Sequence, residues 1–145
     1  MDFHLSQASH NKDFLEFTHQ NHPEKYFDWK ITIAFYVALH LLKSLALKRG
    51  KPLGDSHSDI RKALNNRNKS KLFQFPPRQW IVYEGLFNYA HTSRYDGFID
   101  PDSFLKQQQI NFAHTMVLLE EFISYMKSQG IELSQTNTII TSKNN

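Results

Sequence analysis

Three groups of side chains in this sequence have types and spacings suited to gripping an anion or moving a proton. Ser93-Arg94-Tyr95-Asp96-Gly97 closes a helical stretch. An arginine held at a helix end can grip a phosphate or carboxylate through two parallel hydrogen bonds, with Asp96 fixing the fork. The competing reading is an Arg94–Asp96 pair that only finishes the helix, whose C-terminus favours cations anyway. The second group is Asp55-Ser56-His57. A histidine in a first helical turn lies among free N–H groups at the positive end of the helix, which lowers its pKa and attracts anions. A neutral His57 beside a phosphate could therefore act as a base or donor; otherwise it is a surface histidine in a solvated turn. The third is Tyr36, His40 and Ser44, spaced i, i+4 along the apolar run 28–48. A polar row threading an apolar helix suits the edge of a bundle with a site beside it, although a hydrogen-bonded core histidine is the commoner fate for His40.

Together these place the catalytic candidates at His57 and Arg94 and the ligand-binding candidates at Tyr36, His40, Tyr95 and Asp96. Metal chemistry has little to work with. His19 and His22 straddle the turn before Pro23, and there is no HExxH pair or repeated Glu-x-x-His. Cysteine is absent, which removes thiolate metal sites, disulfides and cysteine nucleophiles. No GxGxxG or GxxxxGK[ST] phosphate loop and no GxSxG elbow occurs. No metal and no cofactor are expected.

The net charge is +3 with neutral histidines, which permits a polyanionic partner without marking one. Arg61, Lys62, Arg67, Lys69, Lys71 and Arg78 crowd one region flanked by Phe73, Phe75 and Trp80. That combination suits phosphates and stacked bases, and it equally suits a solvated loop beside core aromatics. The N-terminus has no basic segment followed by an apolar one, so a cytoplasmic location is expected. The apolar run is interrupted by Lys30, Thr32, His40, Lys43 and Ser44, and its longest unbroken piece, 33–39, is too short to span a bilayer.

The elements that must position these residues are marked by caps and breakers. Helices are predicted near 10–18, 23–49, 57–65, 77–95 and 101–129. Pro23 suits a first turn, and Gly50, Pro52 and Gly54 stop the long second helix. Ser56 with Asp59 resembles a capping box. Leu72, Phe73 and Phe75 are predicted to fold back on the core as a plug. In the last helix Leu105, Gln109, Phe112, Met116, Leu119, Ile123 and Met126 form a 4-3 stripe. No period-2 pattern appears. The expectation is all-α: an up-down bundle of about five helices over 1–130, followed by a flexible tail over 131–145.

With these residues in view, the chain resembles a HEPN-type domain, the higher eukaryotes and prokaryotes nucleotide-binding helical bundle. The likeness rests on Asp28-Trp29-Lys30 leading into Phe35-Tyr36-Val37-Ala38-Leu39-His40, then Gly50, Ser56-His57, Tyr83 to Leu86, and Ser93-Arg94-Tyr95-Asp96. It covers roughly residues 10 to 128. The resemblance implies one of three things: a metal-independent ribonuclease, a toxin of a toxin–antitoxin pair, or a noncatalytic module binding a nucleotide, RNA or protein. HEPN ribonucleases carry an Arg followed after four to six residues by His. Here Arg94 has no His until His114, Arg78 none until His91, and seven residues separate Arg49 from His57. The resemblance also implies a homodimer with the pocket near its interface. Apolar residues on several faces of the second and fifth helices agree with that: Ile31, Phe35 and Leu42 against Trp29, Ile33 and Val37, with Phe104 and Phe122 outside the main stripe.

Overall fold

Asp2 starts the first helix by accepting hydrogen bonds from the free N–H groups of His4 and Leu5 at 2.9 and 3.4 Å. The computed structural model describes residues 2–51, 53–64, 75–92 and 100–134. It contains α1 (Phe3–Asn21), α2 (Phe27–Lys48), α3 (His57–Leu64), α4 (Pro77–Thr92) and α5 (Pro101–Ser128), with no strand among the described residues. The all-α class and the bundle expected from the sequence are what the chain forms.

Two starts differ from the predicted ones. Helix α1 begins seven residues before the predicted residue 10, because Asp2 supplies a cap ahead of a turn with little apolar pattern. Helix α2 begins at Phe27 rather than near Pro23. Residues 23–25 form a turn, and Tyr26, at φ 62°, enters the helix from a left-handed conformation. Asp100 caps α5 through its bond from the Ser103 N–H at 2.8 Å, with Pro101 at the first position as the sequence suggested. Gly130, at φ +85°, turns the chain back, and Ile131 is buried. The peptide N–H of Ser134 then donates to Ser9 Oγ, so the chain stays packed on α1 to the end of the described part. Residues 65–74, with the basic loop and with Leu72 and Phe73 of the plug, lie outside the described residues, as do 93–99 and 135–145. Phe75, the plug's described member, is buried against Phe122 and Tyr125.

Helix α2 is the axis around which α1, α4 and α5 pack. Asp2 meets Ser44 and His22 meets Lys30, so α1 and α2 are antiparallel. Arg78 meets Glu121 and Tyr89 meets His114, so α4 and α5 are antiparallel. Phe27 lies against Phe112 and Lys48 against Gln129, making α2 and α5 parallel, as the second and fourth of the four longer helices α1, α2, α4 and α5 are when these alternate up and down. By length and mean hydropathy α2 could cross a membrane, yet 67% of that stretch is buried among its neighbours, which is how a core helix is used.

The buried side of α5 is rotated from the predicted stripe. Gln108, Phe112, Thr115, Leu119, Phe122 and Met126 are inside, whereas Leu105 is exposed. Ile31, Phe35, Val37, Leu42 and Phe122, expected as surplus apolar surface for a partner, are buried within one copy. The apolar surface that remains is elsewhere: Phe3, Phe14 and Phe17 on α1, and Trp29, Tyr36 and Leu47 on α2.

Candidate functional site

Ser56 Oγ accepts the Asp59 N–H at 3.0 Å, the cap the sequence suggested, and this makes His57 the first residue of α3. The imidazole lies flat on Phe87 of α4, with ring centroids 3.6 Å apart and planes 7° from parallel. Phe87 is nearly parallel to His91 one turn later, at 5.7 Å, and the ring of Tyr83, one turn before Phe87, is 6.1 Å from His57. Arg61, one turn into α3, pairs with Glu84 at 2.9 Å and ties the two helices together. His57 is thus half-buried in an aromatic stack rather than solvated in a turn. Both its ring nitrogens are closed off from solvent and have no hydrogen-bond partner. Burial holds its pKa below 6.5; Arg61 and His91 push the same way and Glu84 opposes them. The ring is therefore neutral at pH 7.

The polar row on α2 divides. Tyr36 faces outward at 44% exposure, with its ring 5.6 Å from Phe35. Phe35 is in turn 5.6 Å from Phe87, so a chain of rings joins Tyr36 to His57. His40 instead turns toward α1. Its Nδ1 is 3.1 Å from Nδ1 of His4, and the rings stack at 5.3 Å. One of the two nitrogens must carry the proton for that contact to attract. Burial lowers the His40 pKa, aided by His4 and Lys43. Ser44 is buried and donates to the Asp2 carboxylate. The N-terminal turn of α1 thus covers the upper part of the row, leaving a crevice of about 100 Å³ between His4, Lys43, Leu47, Leu53 and Asp55. Tyr36 and His57 share one aromatic patch, whereas His40 belongs to the α1–α2 seam. Arg94, Tyr95 and Asp96 lie outside the described residues; α4 reaches Thr92, five residues beyond Phe87.

Two features escaped the sequence reading. Lys30 is completely buried: its ammonium donates to the His22 carbonyl and lies 3.2 Å from His19 Nδ1. A larger cavity of about 330 Å³ opens between α1 and α5, lined by Lys12, Asp13, Glu16, Glu120, Ile123 and Lys127 among others. Its charges sit at ordinary surface spacings such as the i, i+4 pair Lys12–Glu16, so nothing in the sequence distinguished them from a solvated face. Among the described residues no group of three or more His, Asp or Glu is placed to hold a metal ion.

The HEPN domain family matches residues 1–129. No curated protein and no solved structure matches the chain. The chain belongs to the HEPN family.

Proposed function

We propose that this HEPN protein acts on RNA at the edge where α3 begins, with His57 moving a proton and Arg94 holding a phosphate. The observation that carries this reading is the state of His57. Its ring is fixed by Phe87, stays neutral at pH 7, and has both nitrogens uncommitted. Such a ring can take the proton of a ribose 2′-OH; the oxygen then attacks the adjacent phosphorus, the P–O5′ bond breaks, the 5′-oxygen leaves as a hydroxyl by taking up a proton in turn, and a cyclic phosphate end remains. A guanidinium on the phosphate would stabilise the charge that builds on its oxygens. No metal takes part in these steps. Cytoplasmic, toxin-like action is the cellular setting that fits this chemistry, with RNA as the partner.

A second reading is a noncatalytic module for a nucleotide, an RNA or a protein. The specific observation favouring it is that both His57 nitrogens are sealed from solvent, whereas a general base must reach its proton. One assay separates the two. Incubation of RNA with the full chain in excess chelator is expected to yield fragments with cyclic phosphate ends, lost in His57→Gln and Arg94→Ala. RNA retained without cleavage assigns the second reading, and neither binding nor cleavage removes RNA from both.

A further inference from the structure

A base on one side of the phosphate serves only half of the cleavage. In an in-line displacement the attacking and leaving oxygens lie on opposite sides of phosphorus. The ring that takes the 2′ proton is therefore turned away from the 5′-oxygen, which needs a proton to leave. The side chains that act on His57 through ring contact or charge are Tyr83, Glu84, Phe87, Arg61 and His91. Phe87 has no proton to give, and the guanidinium of Arg61 keeps its own. Glu84 is taken up by Arg61, and a carboxylate repels phosphate oxygens. Tyr83 is fully buried, and burial raises its pKa, which makes its hydroxyl a weaker acid. His91 remains, an imidazole exposed on α4.

We infer that His91 is the proton donor to the leaving 5′-oxygen, acting opposite His57 in the RNA cleavage proposed above and resting on that reading. Phe87 and His91, one turn apart on α4, share a face. Phe87 lies nearly parallel to both imidazoles, its centroid 3.6 Å from that of His57 and 5.7 Å from that of His91. The imidazoles are thus no farther apart than two hydrogen bonds with a phosphate between them would span. They are also independent. His57 makes no hydrogen bond through either nitrogen, so it shares no proton with His91. His4 and His40 differ in this respect, since their paired nitrogens hold one proton between them. The helix ends give the two rings complementary roles. His57 opens α3, where free N–H groups disfavour a positive ring, whereas His91 stands in the last turn of α4, where free carbonyls favour one. One environment suits a base and the other an acid. The protons balance: His57 gains the 2′ proton as the new P–O bond forms, His91 gives one to the 5′-oxygen as the P–O5′ bond breaks, and exchange with water restores both rings.

RNA with sulfur in place of the bridging 5′-oxygen at one linkage separates a proton donor from a structural residue, because a thiolate leaves without being protonated. With the full chain in excess chelator, His91→Ala should slow cleavage of ordinary RNA by about 100-fold or more, the low end for a general acid. The same variant should cut the sulfur-bridged RNA close to the wild-type rate, and His57→Gln should fail on both. His91 is exposed, so the helical circular dichroism and urea midpoint of His91→Ala should match the wild type. Should that variant fold poorly, His91→Gln keeps a polar side chain there and should split the two substrates in the same way. A His91 variant that cuts ordinary RNA at the wild-type rate, or that loses both substrates alike, overturns the donor while the cleavage reading stands. A wild-type chain that cuts neither RNA overturns the cleavage reading and the donor with it.

Discussion

Replacing Lys30 tests what a buried ammonium contributes when its direct hydrogen-bond partners are a carbonyl and an imidazole and the Glu24 carboxylate acts on it only through its field. The side chain is 0% exposed, and its charge meets the His22 carbonyl, His19 Nδ1 and the faces of Phe27 and Phe112 at 4.7 and 5.5 Å. Removing an ion from water costs several kcal/mol. Against that stand a charge-assisted hydrogen bond of about 1.5–3 kcal/mol and two ring contacts of about 0.5–2 kcal/mol each. These terms nearly cancel, leaving the packing of the four-carbon stem as the net contribution. Lys30→Met keeps most of the stem, and water can reach the His22 carbonyl in its exposed turn. It should lie within about 1 kcal/mol of wild type. Lys30→Ala also leaves a hole and should lose about 2–4 kcal/mol. Urea unfolding at about pH 7, followed by circular dichroism, measures both. Burial also holds the amine below 10.5. Between that lowered value and 10.5 the unfolded chain binds the extra proton, so wild type should gain stability relative to Lys30→Met as pH rises. A Met variant as weak as the Ala variant would refute the cancellation, because the ammonium would then be a net stabiliser.

Acid should weaken the fold through its histidines. Burial lowers the pKa values of His19, His40 and His57 below 6.5, so each binds its proton more readily when unfolded. The urea midpoint should fall as pH drops from about 6.5 through the folded values, and His57→Gln should reduce that fall. On α5, Phe122→Ala should cost about 3–5 kcal/mol and partly buried Ile123→Ala clearly less. Equal losses would indicate that the helix is rotated toward the stripe predicted from the sequence.

The rotation of α5 shows where periodicity stops deciding. Two stripes share Phe112, Leu119 and Met126; the one predicted from the sequence adds Leu105, Gln109, Met116 and Ile123, the other Gln108, Thr115 and Phe122. The bundle selects the second. Phe122 meets Phe75 and Tyr83 across the core, so the helix turns a whole phenyl ring inward even though Gln108 and Thr115 go inside with it. Caps were legible for a different reason. Ser56 and Asp100 act within three residues of themselves, so their spacing carries the full contact.

The same distinction governs the site. That His57 opens a helix follows from its neighbours in sequence, but its state depends on Phe87, thirty residues later, which no local pattern reveals. His40 shows the converse. Its place on the polar row was legible, yet His4, thirty-six residues earlier, closes over it and converts a candidate ligand group into part of the α1–α2 seam. An imidazole is usable for chemistry when its ring is held by apolar contacts and its nitrogens are left uncommitted, because a nitrogen already sharing a proton must give up that contact before it can accept another. By that criterion the proton transfer proposed above falls to His57 rather than His40. His40→Gln should therefore alter stability while leaving any RNA cleavage in place, and cleavage lost in His40→Gln but retained in His57→Gln would reverse the assignment.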